Sequence, residues 1–563
     1  MNIYGVMNTA GNALAASQTS MGVVGNNIAN INNPAYNQET AVLTAGPTQN
    51  FGPYSVGTGV VVSSVTRSFD NYLFGQSLDN NSTTSLWNTK SQLMNQVDTV
   101  MNDTSGAGLG NALGNFFQSW QTLTTNPGGA TERQAVASAA NTLAGQVSNA
   151  AAQLEVIQGN ANQNIAAAIP QINGYASQIA KLNALISTTE INGNKANDYR
   201  DQRDGLLKSL SNLVGVSYFE QSNGQDIVML KNGSPLVDGQ NSYDLSAGLS
   251  PANPRVSSIY WNAPDGTRRD ITDRITWGQV GAWVQTRDTD VQNVLNGLDS
   301  LAGSVVEQVN NLHVTGYGLD GSTGLNFFNP PAPGGFGALS NAGNGTITGT
   351  LLNPANADLD HYKLSFDGTS YSVSNIDKGG TAALGGATLA SVQGFFRQRG
   401  YSIALTGTPR AGDSFTVSAV NNAATQMSVN PAIRNDPNKI AAGTTTQAGD
   451  GGLARQIGDI QNRTVMGGAW SPSGATGSTG LYTIGDYYGS LVGTVGTSTK
   501  NATDNLTLNQ NVGTQISNMV QQVSGVNMDE QMINLVKYQN SYEGAAKTLT
   551  TVSQMLQTLM NMI

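Results

Sequence analysis

The two ends of the chain carry the same hydrophobic pattern, although more than five hundred residues separate them. Apolar residues recur at alternating spacings of three and four, and only Ser17 interrupts the series. In the N-terminal segment they are Ile3, Met7, Ala10, Leu14, Met21, Val24, Ile28 and Ile31. In the C-terminal segment they are Leu535, Tyr538, Tyr542, Ala545, Leu549, Val552, Leu556, Leu559 and Ile563. Heptad spacing keeps apolar side chains on one face of a helix, so these residues form a predicted assembly interface.

Between the two ends, helical and strand-like periodicity alternate along the chain. Helical spacing dominates Thr83–Val214 and Gln279–Leu312, whereas Val214–Asp273 and Asn329–Val420 show period-two segments separated by turns. The predicted fold class is α+β and multidomain. The terminal helices pair as a coiled-coil-like stalk, long helices form a bundle body, and an inserted β-rich outer domain forms a sandwich or barrel.

The same pattern predicts where the domains begin and end. They are an N-terminal helix and loop (1–59) that pairs with 515–563, a helical body (60–328) with a small β excursion (214–273), a β-rich outer domain (329–437), a return to the helical body (438–514) and a C-terminal coiled-coil helix (515–563). Asn32–Gly59 is rich in Asn, Pro and Gly and is predicted to be an extended loop. Pro170 predicts a kink or a boundary in a long helical stretch, and Gly467–Gly480 predicts a hairpin.

The composition narrows the function classes. The net charge is −10, which disfavours a nucleic-acid partner, because phosphate binding needs clustered Lys and Arg. Charged residues make up only 11% of the chain, so its surface is mostly uncharged and polar, which suits close packing of many copies. The chain has no cysteine and no apolar run long enough for a membrane span. Its first 66 residues contain one charged residue, Glu39, so we expect export without a cleavable signal peptide.

Three short patterns could carry chemistry. Asp198, Asp201 and Asp204 are spaced three apart, but Arg200 and Arg203 lie among them, which favours ion pairs over a metal site. The only histidines are His313 and His361, too few for a zinc site without cysteine, and His313 is predicted to form hydrogen bonds near a helix end. The Asp320–Gly324 segment lacks the repeated acids of a calcium loop and is predicted to be a turn. We therefore expect no enzyme activity, no metal and no cofactor.

Four segments resemble a known family. The segment NNIANINNPAYNQ (Asn26–Gln38) and the last helix (Val523–Ile563) resemble the shared ends of bacterial flagellar rod, hook and hook-associated proteins. The first segment has Asn33, Ala35 and Gln38 where Thr, Gly and Arg are common in those proteins. Two interior segments, Asn197–Val216 and Leu301–Phe328, are similar to segments typical of the hook-associated protein 1 (FlgK) family.

That resemblance implies an extracellular structural subunit. It would form a ring of like copies between hook and filament, with hook protein below and the next hook-associated protein or flagellin above. It also implies export by the flagellar type III apparatus, with a cytoplasmic chaperone on the C-terminal region. No nucleic-acid or membrane partner is expected.

Three alternatives remain open at this point. A hook or distal rod protein would share the terminal segments but not the two interior ones. An enzyme such as a wall hydrolase or protease would carry its active site in the β insertion. A surface adhesin would bind its ligand through the β-rich lobe.

Overall fold

The computed structural model describes residues 3–33, 35–51, 54–102, 108–191, 193–249, 256–338, 341–352, 360–376, 380–466 and 482–561. The predicted hairpin at Gly467–Gly480 lies outside the described residues. The α-helices are α1 (Ile3–Ala29), α2 (Asn71–Met101), α3 (Leu109–Thr125), α4 (Ala130–Glu190), α5 (Asn197–Leu213), α6 (Gly278–Gln285), α7 (Val291–His313), α8 (Leu389–Arg397), α9 (Ala423–Gln426), α10 (Pro431–Asn435), α11 (Gly452–Gly458), α12 (Ile484–Ser524) and α13 (Met528–Met560).

The strands form five antiparallel sheets within the described part of the chain. They are β1 (Glu39–Ala45), β2 (Gln49–Phe51), β3 (Tyr54–Val56), β4 (Val60–Arg67), β5 (Val216–Glu220), β6 (Asp226–Leu230), β7 (Pro235–Asp238), β8 (Asn241–Ser242), β9 (Leu245–Leu249), β10 (Ser257–Asn262), β11 (Arg268–Asp270), β12 (Gly334–Gly337), β13 (Thr346–Leu351), β14 (Tyr362–Phe366), β15 (Tyr371–Asn375), β16 (Thr381–Ala387), β17 (Tyr401–Thr406) and β18 (Ser414–Ser418). The α+β multidomain fold class predicted from the sequence is confirmed.

These elements divide into two compact units. The first unit takes in the chain up to Ser85, Pro170–Asp244 and the residues from Thr507 onwards. It holds α1, α5, α13, the β1–β4 pair, the β2–β3 hairpin and a four-stranded sheet in the order β5-β6-β7-β8. Its buried side chains include Leu207 on α5 and Val228 on β6.

The predicted extended loop at Asn32–Gly59 is wrong over much of its length, because it contains three strands. β1 pairs antiparallel with β4, from Glu39 opposite Arg67 to Ala45 opposite Val60. The stretch after Gln38 forms hydrogen bonds with β4, which begins about twenty residues after the start of β1. The turn residues between the two strands therefore indicate short connections between strands, and not one long loop.

The second unit takes in Leu86–Ile169 and Leu245–Leu506. Its main core is largely aliphatic and contains a group of packed aromatic rings, in which Phe116 on α3 lies 5.6 Å, centroid to centroid, from Phe328, which follows α7. Leu298, Leu301 and Val305 on the buried face of α7 belong to the same core. Helix α4 runs without a break through Pro170, so the long stretch forms one helix, and the division between the units falls at that proline.

A separate core underlies the β-rich region of the second unit. Its seven strands form one open sheet in the order β16-β15-β14-β18-β12-β13-β17. Val392 and Phe396 of α8 are fully buried in this core, together with Leu364 and Phe415 of the sheet. The predicted sandwich or barrel is therefore wrong: an amphipathic helix covers the apolar side chains of the sheet, in place of a second sheet.

Candidate assembly interface

The first and last described helices pack against each other in the first unit. The C-terminal end of α1 meets the N-terminal end of α13, where Asn27 Nδ2 donates a hydrogen bond to Gln531 Oε1 at 3.0 Å, so the pair runs antiparallel. The buried residues of α1 are Ala10, Ala16, Ser17, Ser20, Val24 and Asn27. The buried residues of α13 are Gln531 and Val552. Small side chains on α1 allow the two helices to approach closely along this contact.

The predicted interface residues are covered to different degrees. Those that are buried are Ala10, Val24 and Val552. Those that are half-buried are Ile3, Met7, Leu14, Met21, Ile28, Ile31, Leu535, Tyr538, Ala545, Leu549 and Leu556. Tyr542 and Leu559 stay exposed at 40% and 50%, and Ile563 lies outside the described residues. The stripe is thus partly covered by the pairing of the helices within the chain.

Sequence reasoning missed the polar residues of this contact. Ser17, which interrupts the apolar series, is 6% exposed, and Asn27 and Gln531 are each 1% exposed. The Asn27 amide makes four hydrogen bonds. It donates to Gln531 and to Glu39 O, and it accepts from Glu39 N at 2.9 Å and from the Tyr36 hydroxyl at 2.8 Å. The run of asparagines in Asn26–Gln38 was the available signal, since a buried Asn must satisfy its amide.

The loop after α1 is held by several elements at once. Asn37 donates to Asp201 of α5 through its backbone N at 3.0 Å and through its side-chain Nδ2 at 2.6 Å. Gln38 N donates to Ser524 O, at the end of α12, at 2.9 Å. Burial raises the pKa of Tyr36, and nearby Glu39 adds to the rise, so its hydroxyl stays protonated and can donate to Asn27.

Buried ion pairs surround the base of this loop. Arg67, at the end of β4, contacts both Asp201 and Asp204, and all three side chains are at most 10% exposed. Burial raises the pKa of Asp204, while the adjacent Arg67 guanidinium opposes that rise. The prediction that Asp198, Asp201 and Asp204 serve ion pairs is thus supported for the last two, whose partner is the distant Arg67.

The two arginines within that segment have partners of their own. Arg200 pairs with Glu190 at 2.8 Å and with Glu220 at 2.9 Å. Arg203 Nε lies 2.9 Å from Asp226 Oδ2, where burial raises the aspartate pKa to about 7. These pairs tie α5 to the end of α4 and to the sheet that follows it. Their role here is to anchor α5.

The other candidate residues have structural surroundings. His313 is the last residue of α7; its Nδ1 donates to Leu325 O at 2.7 Å and its Nε2 accepts from Ala441 N at 2.8 Å. His361 is buried just before β14. At Asp320–Gly324, Ser322 N donates to Asp320 Oδ1 at 2.9 Å, which closes a turn. Within the residues that the structure describes, no group of three or more His, Asp or Glu side chains could hold a metal ion. The described helices include none with the length and apolar character needed to cross a bilayer.

Comparison with known proteins gives matches at both the domain and the full-length level. Residues 94–328 match the flagellar hook-associated protein FlgK helical domain, and residues 517–562 match the flagellar basal body rod FlgEFG protein C-terminal domain. Flagellar hook-associated protein 1 of Escherichia coli K12 is 30% identical over 565 residues, covering 99% of both chains. Its counterpart in Bacillus subtilis 168 is 24% identical over 591 residues, covering 99% of this chain and 97% of the relative.

A solved structure has a similar fold. The flagellar hook junction protein FlgK from Burkholderia pseudomallei aligns with a TM-score of 0.68 and 23% identity, covering 80% of this chain and 100% of the other. The 30% identity to the Escherichia coli protein along 99% of both chains defines a structural protein of the bacterial flagellum. The chain belongs to the flagellar hook-associated protein 1 family. That membership assigns it a structural role at the hook–filament junction and decides against the hook and distal rod alternatives.

Proposed function

We propose that the α1–α13 pair is the part of the chain that packs against neighbouring axial subunits and so connects hook to filament. The observation that carries this proposal is an apolar stripe on α13 that α1 leaves exposed. Met528, Met532 and Val536 recur every four residues and are 41%, 49% and 51% exposed. Large apolar side chains grouped in this way on a helix mark an interaction surface.

The gain from covering this stripe is large enough to hold a subunit. A fully buried Met, Leu or Val contributes about 1.5–3 kcal/mol relative to the exposed state. Side chains that are already half-covered retain roughly half of that gain for a neighbour. Tyr542 of the predicted interface is exposed as well and would add to the contact. The predicted interface residues would then serve two contacts, one within the chain and one between chains.

The proposed partners follow from the family and from this surface. They are further copies in a ring, hook protein below, and the next hook-associated protein or flagellin above. An exposed apolar helix needs cover before assembly, which supports a cytoplasmic chaperone on the C-terminal region. Export by the flagellar type III apparatus, without a cleavable signal peptide, would place the chain outside the cell. Packing of this kind requires no catalysis, metal or cofactor.

A charge placed in the exposed stripe tests the proposal. In Met532→Asp, the carboxylate stays at the surface of the free subunit, so the fold loses only the half of the Met532 burial that the chain itself provides, about 0.8–1.5 kcal/mol. In the assembly the carboxylate would be buried without a partner, at a cost of several kcal/mol. Bacteria that carry only this variant should make hooks and secrete the subunit but lose their filaments.

Thr548→Asp is the matched control, because Thr548 is exposed and lies about 160° around α13 from Met532 at 100° per residue. Filaments should be retained in this control. Normal filaments on cells with Met532→Asp would show that the exposed stripe does not form the junction contact.

A further inference from the structure

We propose that Asp201 is a positioning residue for assembly: its carboxylate fixes the loop of residues 35–38 and, through that loop, the direction of the terminal helix pair. The proposal rests on the function proposed above for α1 and α13. It assigns a role in the junction to a residue of α5, more than 160 positions away from the loop in the sequence.

The carboxylate of Asp201 accepts three hydrogen bonds. Asp201 Oδ2 accepts from Asn37 N at 3.0 Å, and Oδ1 accepts from Asn37 Nδ2 at 2.6 Å and from Arg67 Nη1 at 2.7 Å. Its side chain is 10% exposed, so water competes little for these bonds. An ionised carboxylate accepts at both oxygens, and bonds to it are stronger than those between neutral groups.

The loop passes this constraint to the terminal helices. Gln38 N is bonded to the last residue of α12, and Glu39 N is bonded to the Asn27 amide of α1. Asn27 in turn bonds Gln531 of α13. The backbone of residues 37–39 therefore joins the hydrogen bonds made by Asp201 to those that reach the α1–α13 contact. Asn197 Nδ2, on the same helix as Asp201, adds a second attachment by donating to Glu39 Oε1 at 2.8 Å.

An amide cannot replace the carboxylate in this position. In Asp201→Asn, one acceptor oxygen becomes an NH₂ donor, which would face either Asn37 or Arg67, both of which also donate. Arg67 would keep Asp204 as its counter-ion, so the core ion pair survives in part. The expected defect is therefore local to the loop.

The test compares Asp201→Asn with Asp198→Asn, since Asp198 lies one turn earlier on α5 and is exposed. Amide hydrogen exchange is measured on the full chain. The Asn37 and Glu39 amides should exchange at least tenfold faster in Asp201→Asn and at the wild-type rate in Asp198→Asn. Asn37→Ala leaves the Arg67 ion pairs untouched and should likewise speed exchange at Glu39. In the double variant Asn37→Asp/Asp201→Asn, a carboxylate and an amide face each other again, so protection at Glu39 should be partly restored.

The second measurement is filament retention in bacteria that carry each variant alone. Asp201→Asn and Asn37→Ala should lose filaments, and the double variant should regain part of them. Wild-type exchange at Asn37 in Asp201→Asn would overturn the proposal, as would faster exchange with normal filaments. A separate failure of the proposed function is recognised by Met532→Asp: if that variant keeps its filaments, the terminal helices are not the junction contact, whatever the exchange rates show.

Discussion

His313 is held in one protonation state by two backbone groups of the second unit. The Leu325 carbonyl requires a proton on Nδ1, and the Ala441 N–H requires a lone pair on Nε2. The ring is 1% exposed and lies 5.4 Å, centroid to centroid, from the ring of Phe327. Burial lowers the pKa of His313 from 6.5 to about 4. Geometry and burial therefore both favour the neutral imidazole.

This arrangement predicts a loss of stability in acid. The unfolded chain binds a proton at His313 below its ordinary pKa of 6.5, whereas the folded chain does so only near 4. The neutral His313 side chain therefore contributes fully to the stability of the folded chain above pH 6.5. This contribution is lost as the pH falls from 6.5 towards 4. At pH 5 the loss should be about 2 kcal/mol, since each pH unit is worth about 1.4 kcal/mol. Thermal unfolding of the second unit at pH 7.5 and pH 5 measures it.

His313→Gln is the comparison for this prediction. Glutamine can donate to one backbone group and accept from the other, and it does not titrate. The variant should be less stable at pH 7.5 but should lose less stability on acidification than the wild type. The titrating carboxylates are the same in both proteins, so their effect cancels when the two losses of stability are compared. Equal acid sensitivity of the two proteins would contradict the role given to His313.

At the scale of single residues, the sequence indicated which residues form polar contacts better than it indicated which residues they contact. The position of His313 at a helix end predicted a hydrogen-bonding role, which the structure confirms. The pairing of Asn27 with Gln531 was not predicted, because 504 positions separate the two residues and a heptad pattern registers only apolar positions. The partner of Asp201 was missed for the same reason, since helical spacing reports neighbours on one helix and Arg67 comes from a strand.

Among the elements, α13 has two apolar surfaces, one covered within the chain and one exposed. The surface that faces α1 includes Val552, which is 6% exposed, and the other includes Met532, which is 49% exposed. A helix with apolar residues on more than one side is stable only if each side finds cover. Within the chain α1 covers one of them. If the proposed function holds, substitutions on the covered surface should disturb folding, and those on the exposed surface should disturb assembly.

Val552→Asp should release α13 from α1. The substitution puts a carboxylate into the contact between the two helices, at a cost of several kcal/mol if it stays ionised. Trypsin should then cut after Lys537 and Lys547 faster than in the wild type, because both lysines lie on the loosened helix. Ser553→Asp, one residue further and exposed, should leave the cutting rate unchanged. Equal rates in the wild type and Val552→Asp would show that α1 does not hold this part of α13.

Long helices were predictable from periodicity, and strand partners were not. The sequence predicted a helical stretch from about Ala130 to Ser187, as one helix or two, and the structure forms it as the single helix α4, which ends at Glu190. The short strands from Tyr362 to Val417 were also foreseen, but not that one helix, α8, covers their sheet. Periodicity states which side of an element is apolar; it does not say which distant element covers that side.

For the whole molecule, the strands that enter and leave the β-rich region are neighbours. Gly334 of β12 lies directly opposite Ser418 of β18 in the sheet. Cα atoms of such opposed residues are about 4.5–5.5 Å apart, a gap that a two-residue turn can close. The region also has its own core, distinct from the core of α3 and α7.

These two features predict that the β-rich region can be removed without loss of the junction. Residues 335–417 are replaced by Asn-Gly, which favours a tight hairpin turn. The main core of the second unit and the α1–α13 pair should keep their wild-type hydrogen-exchange protection, because their buried side chains come from outside the excised segment. In a deletion strain, which should carry bare hooks and release flagellin, the shortened chain should restore filaments as the full chain does. Bare hooks despite wild-type levels of a folded, secreted shortened chain would show that the seven-stranded sheet takes part in holding the filament.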